Sequence, residues 1–153
     1  MHTQNSIRLY GTAKDVLQWV SSVDRWPDYF PHYRWVRVHE RNNGGVTATM
    51  AAKHGGLPIQ WTSVLKLTGA SWPLPLATFH HIGGITKGMD VQWLARPYDR
   101  RELELSIVHE LDWPAGSRWF AQKIIGDVFV KGVASKTLRM VKHYVERKIV
   151  PKE

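Results

Sequence analysis

Between Arg34 and Leu111 the sequence breaks into five or six short strand-like runs. They are separated by Asn-Asn-Gly-Gly, Gly-Gly-Leu-Pro, Gly-Ala-Ser-Trp-Pro, Gly-Gly-Ile-Thr-Lys-Gly and Arg-Pro-Tyr-Asp-Arg. Alternation with period two marks a strand with one wet and one buried face, and each separator carries the glycine, proline or asparagine that a chain reversal favours. From Leu57 to Leu67 the odd positions Leu57, Ile59, Trp61, Leu65 and Leu67 are apolar, while the even ones include Gln60, Thr62 and Lys66. Odd positions carry the apolar side again from Met89 to Ala95, and Leu103, Leu105 and Ile107 oppose Glu102, Glu104 and Ser106. This part of the chain is therefore expected to form an antiparallel meander with one face in the core.

The flanks follow a helical rhythm. After a first strand at Ser6 to Tyr10, Thr12 and Asp15 have the spacing of a capping box, and Val16, Leu17, Val20 and Val23 share one helical face. Pro27 and Pro31 end that helix and leave room for a short second one around Trp26 to Phe30. Beyond Trp113-Pro-Ala-Gly the chain again reads as helical, with Phe120, Ile124 and Val128 on one stripe and Ala134, Leu138, Val141 and Val145 on another. The stripe shifts across Gly132, where a missing side chain allows a bend or a close approach to the sheet. One strand, two short helices, a meander and a long terminal helix predict a single α+β domain over residues 1–153, its sheet curved around the apolar face of that helix.

Composition removes several classes of function. Cysteine is absent, so disulfides, thiolate zinc sites, iron–sulfur clusters and cysteine nucleophiles are excluded. The first twenty residues lack a hydrophobic signal core, and the most apolar central stretch, SWPLPLATF, is broken by prolines, so a cytoplasmic protein is expected. The net charge is +8, and from Arg118 onward nine Lys or Arg face three acids, a local excess of +6. Such an excess fits a solvated helix face, or transient contact with an anionic membrane; nucleic acid is the weaker partner, because charge alone gives attraction without chemistry.

The inward face of the predicted sheet carries Trp61 and Trp93 beside the small residues Ala48, Ala52, Ser63 and Ala95. Large rings next to small side chains fit ordinary interlocking packing, and they fit equally the walls of a cavity. Periodicity leaves both open.

The segments DRWPDYFPHYRWVRVHER, GGLPIQWTS, HHIGGITKGMDVQW, VHELDWP and FVKGVASKTLRMVK resemble the polyketide cyclase/dehydrase and Coq10-like branch of the StAR-related lipid-transfer (START-like) superfamily. The resemblance spans nearly the whole chain. It implies a helix-grip fold whose large hydrophobic cavity, between sheet and long helix, takes lipids, quinones or polyketides, with no cofactor. On that expectation Met50, Ile59, Trp61 and Phe79 line the cavity from the sheet, together with Val91, Trp93 and Ile107, while Ile124 and Val128 face it from the helix. The same resemblance puts the cavity mouth at His54, Gly55 and Gly56, at Gly83, Gly84, Ile85 and Lys87, and at the Asp112 to Arg118 connection.

Four polar groups bear on chemistry. His80 and His81 are adjacent in a strand and so face opposite sides, which argues against a shared metal; His81 has the inward parity of Phe79. His109 shares parity with Ile107 and Leu111 and also faces inward, either as a hydrogen-bonded core residue or as an anchor for a ligand carbonyl or hydroxyl. Cyclization of a polyketone would want a cationic anchor with tyrosine or histidine nearby. Lys53, Lys66 and Arg96 have outward parity, Arg37 is ambiguous, and Tyr33, His81 and His109 remain the acid–base candidates. The readings are thus a binding or transfer protein for a hydrophobic small molecule, a cyclase or dehydratase using the same pocket, and a basic domain that docks on an anionic surface.

Overall fold

The computed structural model describes residues 1–112 and 122–153. Seven strands form one antiparallel sheet: β1 (His2–Tyr10), β2 (Tyr33–Asn42), β3 (Gly45–His54), β4 (Leu57–Leu67), β5 (Ala77–Gly84), β6 (Asp90–Pro97) and β7 (Glu102–Glu110). The spatial order is β1-β7-β6-β5-β4-β3-β2, a six-strand meander with β1 added beside its last strand. Strand β1 starts earlier than the Ser6 expected from its apolar alternation, because β7 supplies ladder partners as far as His2 opposite Glu110.

Between β1 and β2 lie α1 (Ala13–Ser21), a 3-10 turn and α2 (Trp26–Tyr29). Thr12 and Asp15 form the expected capping box: each side chain accepts from the other residue's backbone N–H, at 3.2 and 3.0 Å. Pro27 sits in the first turn of α2, where a missing N–H costs nothing. The terminal helix begins as a π-helical stretch (Gln122–Val130) and continues as α3 (Lys131–Glu146). It lies over the inner face of the sheet, tied by Lys142 Nζ to the Arg8 carbonyl at 2.7 Å and by Asn5 Nδ2 to Ser135 Oγ at 2.9 Å. Tyr144 anchors it to the two short helices, stacking on Trp19 and donating to the Tyr29 carbonyl at 2.7 Å.

The helix stripe differs from its expected phase. Val128 is 46 % exposed and Ile124 only half-buried, whereas Ile125, Phe129 and Val130 are buried. In the run Ile124-Ile125 and Val128-Phe129-Val130 apolar residues are adjacent, so spacing alone does not fix which member turns inward. The i→i+5 bonding of the π-helical stretch brings Ile125, then Phe129 and Val130, then Val133 and Ala134 onto the sheet-facing side. From Ala134 onward the expected stripe of Leu138, Val141 and Val145 is buried. Gly132 makes the close approach expected of it, since an added Cβ would collide with the His54 imidazole. Phe120 and the Trp113 to Arg118 connection lie outside the described residues.

A candidate ligand cavity between sheet and helix

The cavity is assembled from cross-strand rows that the period-two pattern sets up. Met50 pairs with Trp61, Ser63 with His81, and Leu65 with Phe79; Phe79 pairs in turn with Val91 and that with His109, while Trp93 lies between Ala77 and Ile107. Every one of these side chains is buried except His109, which is partly so. The helix closes the opposite wall through Phe129, Val130, Val133, Ala134 and Thr137, and α2 contributes Trp26.

The space between these walls is small, about 60 Å³. A single water needs about 10–15 Å³ of such space, so the void holds a few waters and falls short of the large cavity that the resemblance implies. Aromatic side chains occupy the remainder. Phe129 stands edge-on to Trp61 at 6.1 Å, and Trp26 lies 5.0 Å from Tyr33 and 6.1 Å from Trp93, ring centre to ring centre. Rings and small residues thus pack closely, and a void remains where they meet.

Met50, Trp61, Phe79, Val91, Trp93 and Ile107 line the void, as do Tyr33, His81 and His109. Ile59 is buried in the core but outside the lining, one step nearer the β3–β4 turn, and Ile124 and Val128 are excluded by the helix phase described above. Lining residues that the sequence did not single out include Trp26, Thr86, Phe129 and Thr137. Thr137 had a signal, lying three residues after Ala134 on the buried stripe. Thr86 had none, because a turn has no face parity.

At the expected mouth the residues do different things. Ile85 is 58 % exposed, and Lys87 is exposed with it, while Thr86 between them turns in and shares a 2.7 Å hydrogen bond with His81 Nδ1. Gly84 has a positive φ of +93°, and a Cβ there would lie 2.7 Å from the Gln60 carbonyl oxygen, so no other residue fits without moving backbone. Gly83 continues β5 into this turn, and Gly55 and Gly56 form the β3–β4 reversal beside His54. The His54 Nδ1 is buried without a hydrogen-bond partner.

Electrostatics leave the cavity polar but uncharged. Burial, helped by the nearby His80, pulls the His81 imidazole down to about 4, and its ring stacks on Trp61 at 5.7 Å. Burial, then the neighbouring His81, takes His109 to about 3. Both are neutral at physiological pH. Burial pushes the Tyr33 phenol well above its ordinary value, with the Thr137 hydroxyl partly offsetting, so it remains a proton donor. No Arg, Lys, Asp or Glu lines the void among the described residues, and Lys53, Lys66, Arg96 and Arg37 are all exposed. The His109 Nδ1 and the Ser63 Oγ are buried without partners; of these His109 lines the void. An unpartnered buried polar atom at an apolar cavity is a point where a ligand carbonyl or hydroxyl gains a hydrogen bond. His80, on the outer face, pairs with Asp90 at 2.7 Å.

Comparison with known proteins agrees with this architecture. The Zhui aromatase/cyclase from Streptomyces sp. R1128 superposes with a TM-score of 0.81 at 20% identity, over 97% of this chain and 94% of that one. A START superfamily protein from Mycobacterium smegmatis does so at 0.63 and 14% identity, over 97% and 96%. The di-domain ARO/CYC StfQ from the steffimycin biosynthetic pathway matches at 0.75 and 18% identity, over 96% of this chain and 51% of that one. A comparison with curated protein sequences found no match. At these identities the likeness is one of fold. The sequence itself matches a family model over residues 11–140, and the chain therefore belongs to the polyketide cyclase / dehydrase and lipid transport family.

Proposed function

We propose that the protein binds a hydrophobic, ring-bearing or lipid-like small molecule, such as a quinone or polyketide, between sheet and terminal helix, for transport or presentation. The observation that carries this reading is a void lined mainly by aromatic and aliphatic side chains, without charge among the described residues, and bordered by an unpartnered imidazole nitrogen on His109. Because the void is only about 60 Å³, binding requires ring movement, and Phe129 is the ring that lines it from the helix, edge-on to Trp61. The test is titration with a polyaromatic ketone while following tryptophan emission. Trp61 and Trp93 line the void, so emission should change saturably and Trp93→Ala should weaken binding; an unchanged spectrum across a panel of ketones, quinones and long-chain lipids would count against the reading.

A cyclase or dehydratase activity in the same cavity is the second reading. It is favoured by the proximity of a protonated Tyr33 and neutral His81 and His109, which could donate and accept protons at a bound polyketone. An enzyme whose His81 or His109 is replaced should lose turnover while retaining ligand. Transient contact with an anionic membrane would suit either reading, with the exposed Arg139, Arg147 and Lys148 as attracting charges. Lys142 is less available, being held by the Arg8 carbonyl and by Glu146 at 3.3 Å. No helix among the described residues is long and apolar enough to cross a membrane.

A further inference from the structure

A second concavity lies on the outside of the molecule, where the start of β2, the β3–β4 turn and α3 meet. It is an open cleft of about 520 Å³, lined by Arg34 from β2, Lys53 and Gly56 from the β3–β4 region, and Lys136 and Arg139 from α3. His32, Pro31 and Met140 complete the wall. No acidic residue lines it, and none of the four cationic side chains makes a hydrogen bond or ion pair with another side chain among the described residues. Four positive side chains from three separate elements thus share one hollow with their charge unbalanced.

We propose that this cleft is a binding site for a phosphate ester, with Arg34, Lys53, Lys136 and Arg139 holding its oxygens. The charge count favours phosphate over carboxylate: a monoester carries about −1.5 to −2 at neutral pH and offers three strong acceptor oxygens. Two of the four cations are arginines, whose planar forks match phosphate in a bidentate fashion. The volume falls within the range of about 300–1,000 Å³ usual for small-molecule sites, which leaves room for the organic part of an ester beside its phosphate. The positive field is felt inside the protein as well. His32 is held down at about 4, first by burial and then by Lys136, His54 and Arg139.

The cleft adjoins the interior cavity through one hydrogen-bonded pair. Thr137, which lines the cavity, donates to the Val133 carbonyl at 2.8 Å and so accepts from Nε2 of His32, which lines the cleft, at 2.7 Å. An occupant of the cleft would therefore lie within one side chain of the cavity wall. The site stands independently of what the cavity binds.

The test is a titration of the intact protein, followed by NMR at low salt, with glycerol 3-phosphate, inorganic phosphate and, as a singly charged comparator, acetate. Saturable shifts at Arg34, Lys53, Gly56, Lys136 and Arg139 and at the His32 imidazole are expected with the phosphates, and weaker ones with acetate. Each charge-assisted contact removed should weaken binding about tenfold, so Lys136→Glu with Arg139→Glu should abolish saturation in the accessible range. Arg34→Gln with Lys53→Gln tests the opposite wall should the first pair fail to fold, and Lys66→Gln, an exposed cation outside the cleft, should leave binding unchanged. A second arm uses vesicles of phosphatidylcholine with and without phosphatidic acid. Binding to the acidic vesicles that requires phosphatidic acid and is lost in the cleft variants would identify the ester as a lipid headgroup; saturation by glycerol 3-phosphate without binding to the acidic vesicles would identify a free one. Absence of saturable binding in both arms, or binding indifferent to all four substitutions, would overturn the site without bearing on the cavity.

Discussion

Replacing Phe129 with alanine should convert a nearly filled cavity into an open one, and the consequence is calculable. The Phe129 side chain is 3 % exposed and forms the helix-side wall against Trp61. Truncating a buried phenylalanine to alanine costs about 3–5 kcal/mol, made up of lost transfer energy and a term of about 24 cal/mol per Å³ of residual cavity. The standing void of about 60 Å³ already represents about 1.4 kcal/mol of forgone packing on that scale. A ligand that binds the folded state alone returns about 2.7 kcal/mol at a hundred times its dissociation constant. Urea unfolding followed by far-UV circular dichroism should therefore show the variant substantially destabilised. A polyaromatic ketone should restore more than half of the loss, and should bind the variant more tightly than the parent because no ring needs moving. Phe129→Leu, with a smaller loss, provides the same comparison in a more stable background. Destabilisation without rescue, in both variants and for every ring-bearing ligand tried, would refute the idea that Phe129 occupies ligand space.

Stability should fall as pH drops from about 6.5 toward 4. His32 and His81 have folded-state values of about 4, below the ordinary 6.5, so the unfolded chain binds protons first and each buried imidazole contributes a slope of up to about 1.4 kcal/mol per pH unit in that window. A urea midpoint unchanged between pH 7 and 5 would contradict their burial as neutral rings. His109→Leu should be neutral or stabilising to unfolding, since it removes an unpartnered buried nitrogen, yet should weaken binding of a ketone relative to the matching hydrocarbon. Equal weakening of both ligands would assign His109 a packing role only. Gly84→Ala should cost about 1–3 kcal/mol, because φ is +93° and the new Cβ would meet the Gln60 carbonyl oxygen; a thermal midpoint equal to that of the parent would show that this turn relaxes.

The sheet was legible because each of its strands has one buried face. Alternation placed Trp61, Phe79, Val91, Trp93 and Ile107 on the inner side, and the same parity separated inward His81 from outward His80, which answers to Asp90 instead. Capping chemistry fixed the start of α1 through Thr12 and Asp15. The helix wall was less legible, for an identifiable reason: where apolar residues are adjacent, as at Ile124-Ile125 and Val128-Phe129, the phase depends on winding, and π-helical winding is not written in the spacing. The size of the void depends on how rings such as Trp26 and Phe129 are turned, which no pattern of residue types specifies. The cationic cleft was hidden for a different reason. Arg34, Lys53, Lys136 and Arg139 belong to three elements and converge only when the sheet curves over α3.

The proposed function requires that the space between sheet and terminal helix hold a hydrophobic small molecule. Native mass spectrometry of freshly purified protein, followed by denaturing extraction of the same sample, measures this without prior choice of ligand. A population heavier than the polypeptide by one small molecule is expected, released on denaturation, apolar on extraction, and diminished in Trp93→Ala. Protein that carries only its polypeptide mass, and that stays so after incubation with ketones, quinones and long-chain lipids, would contradict it.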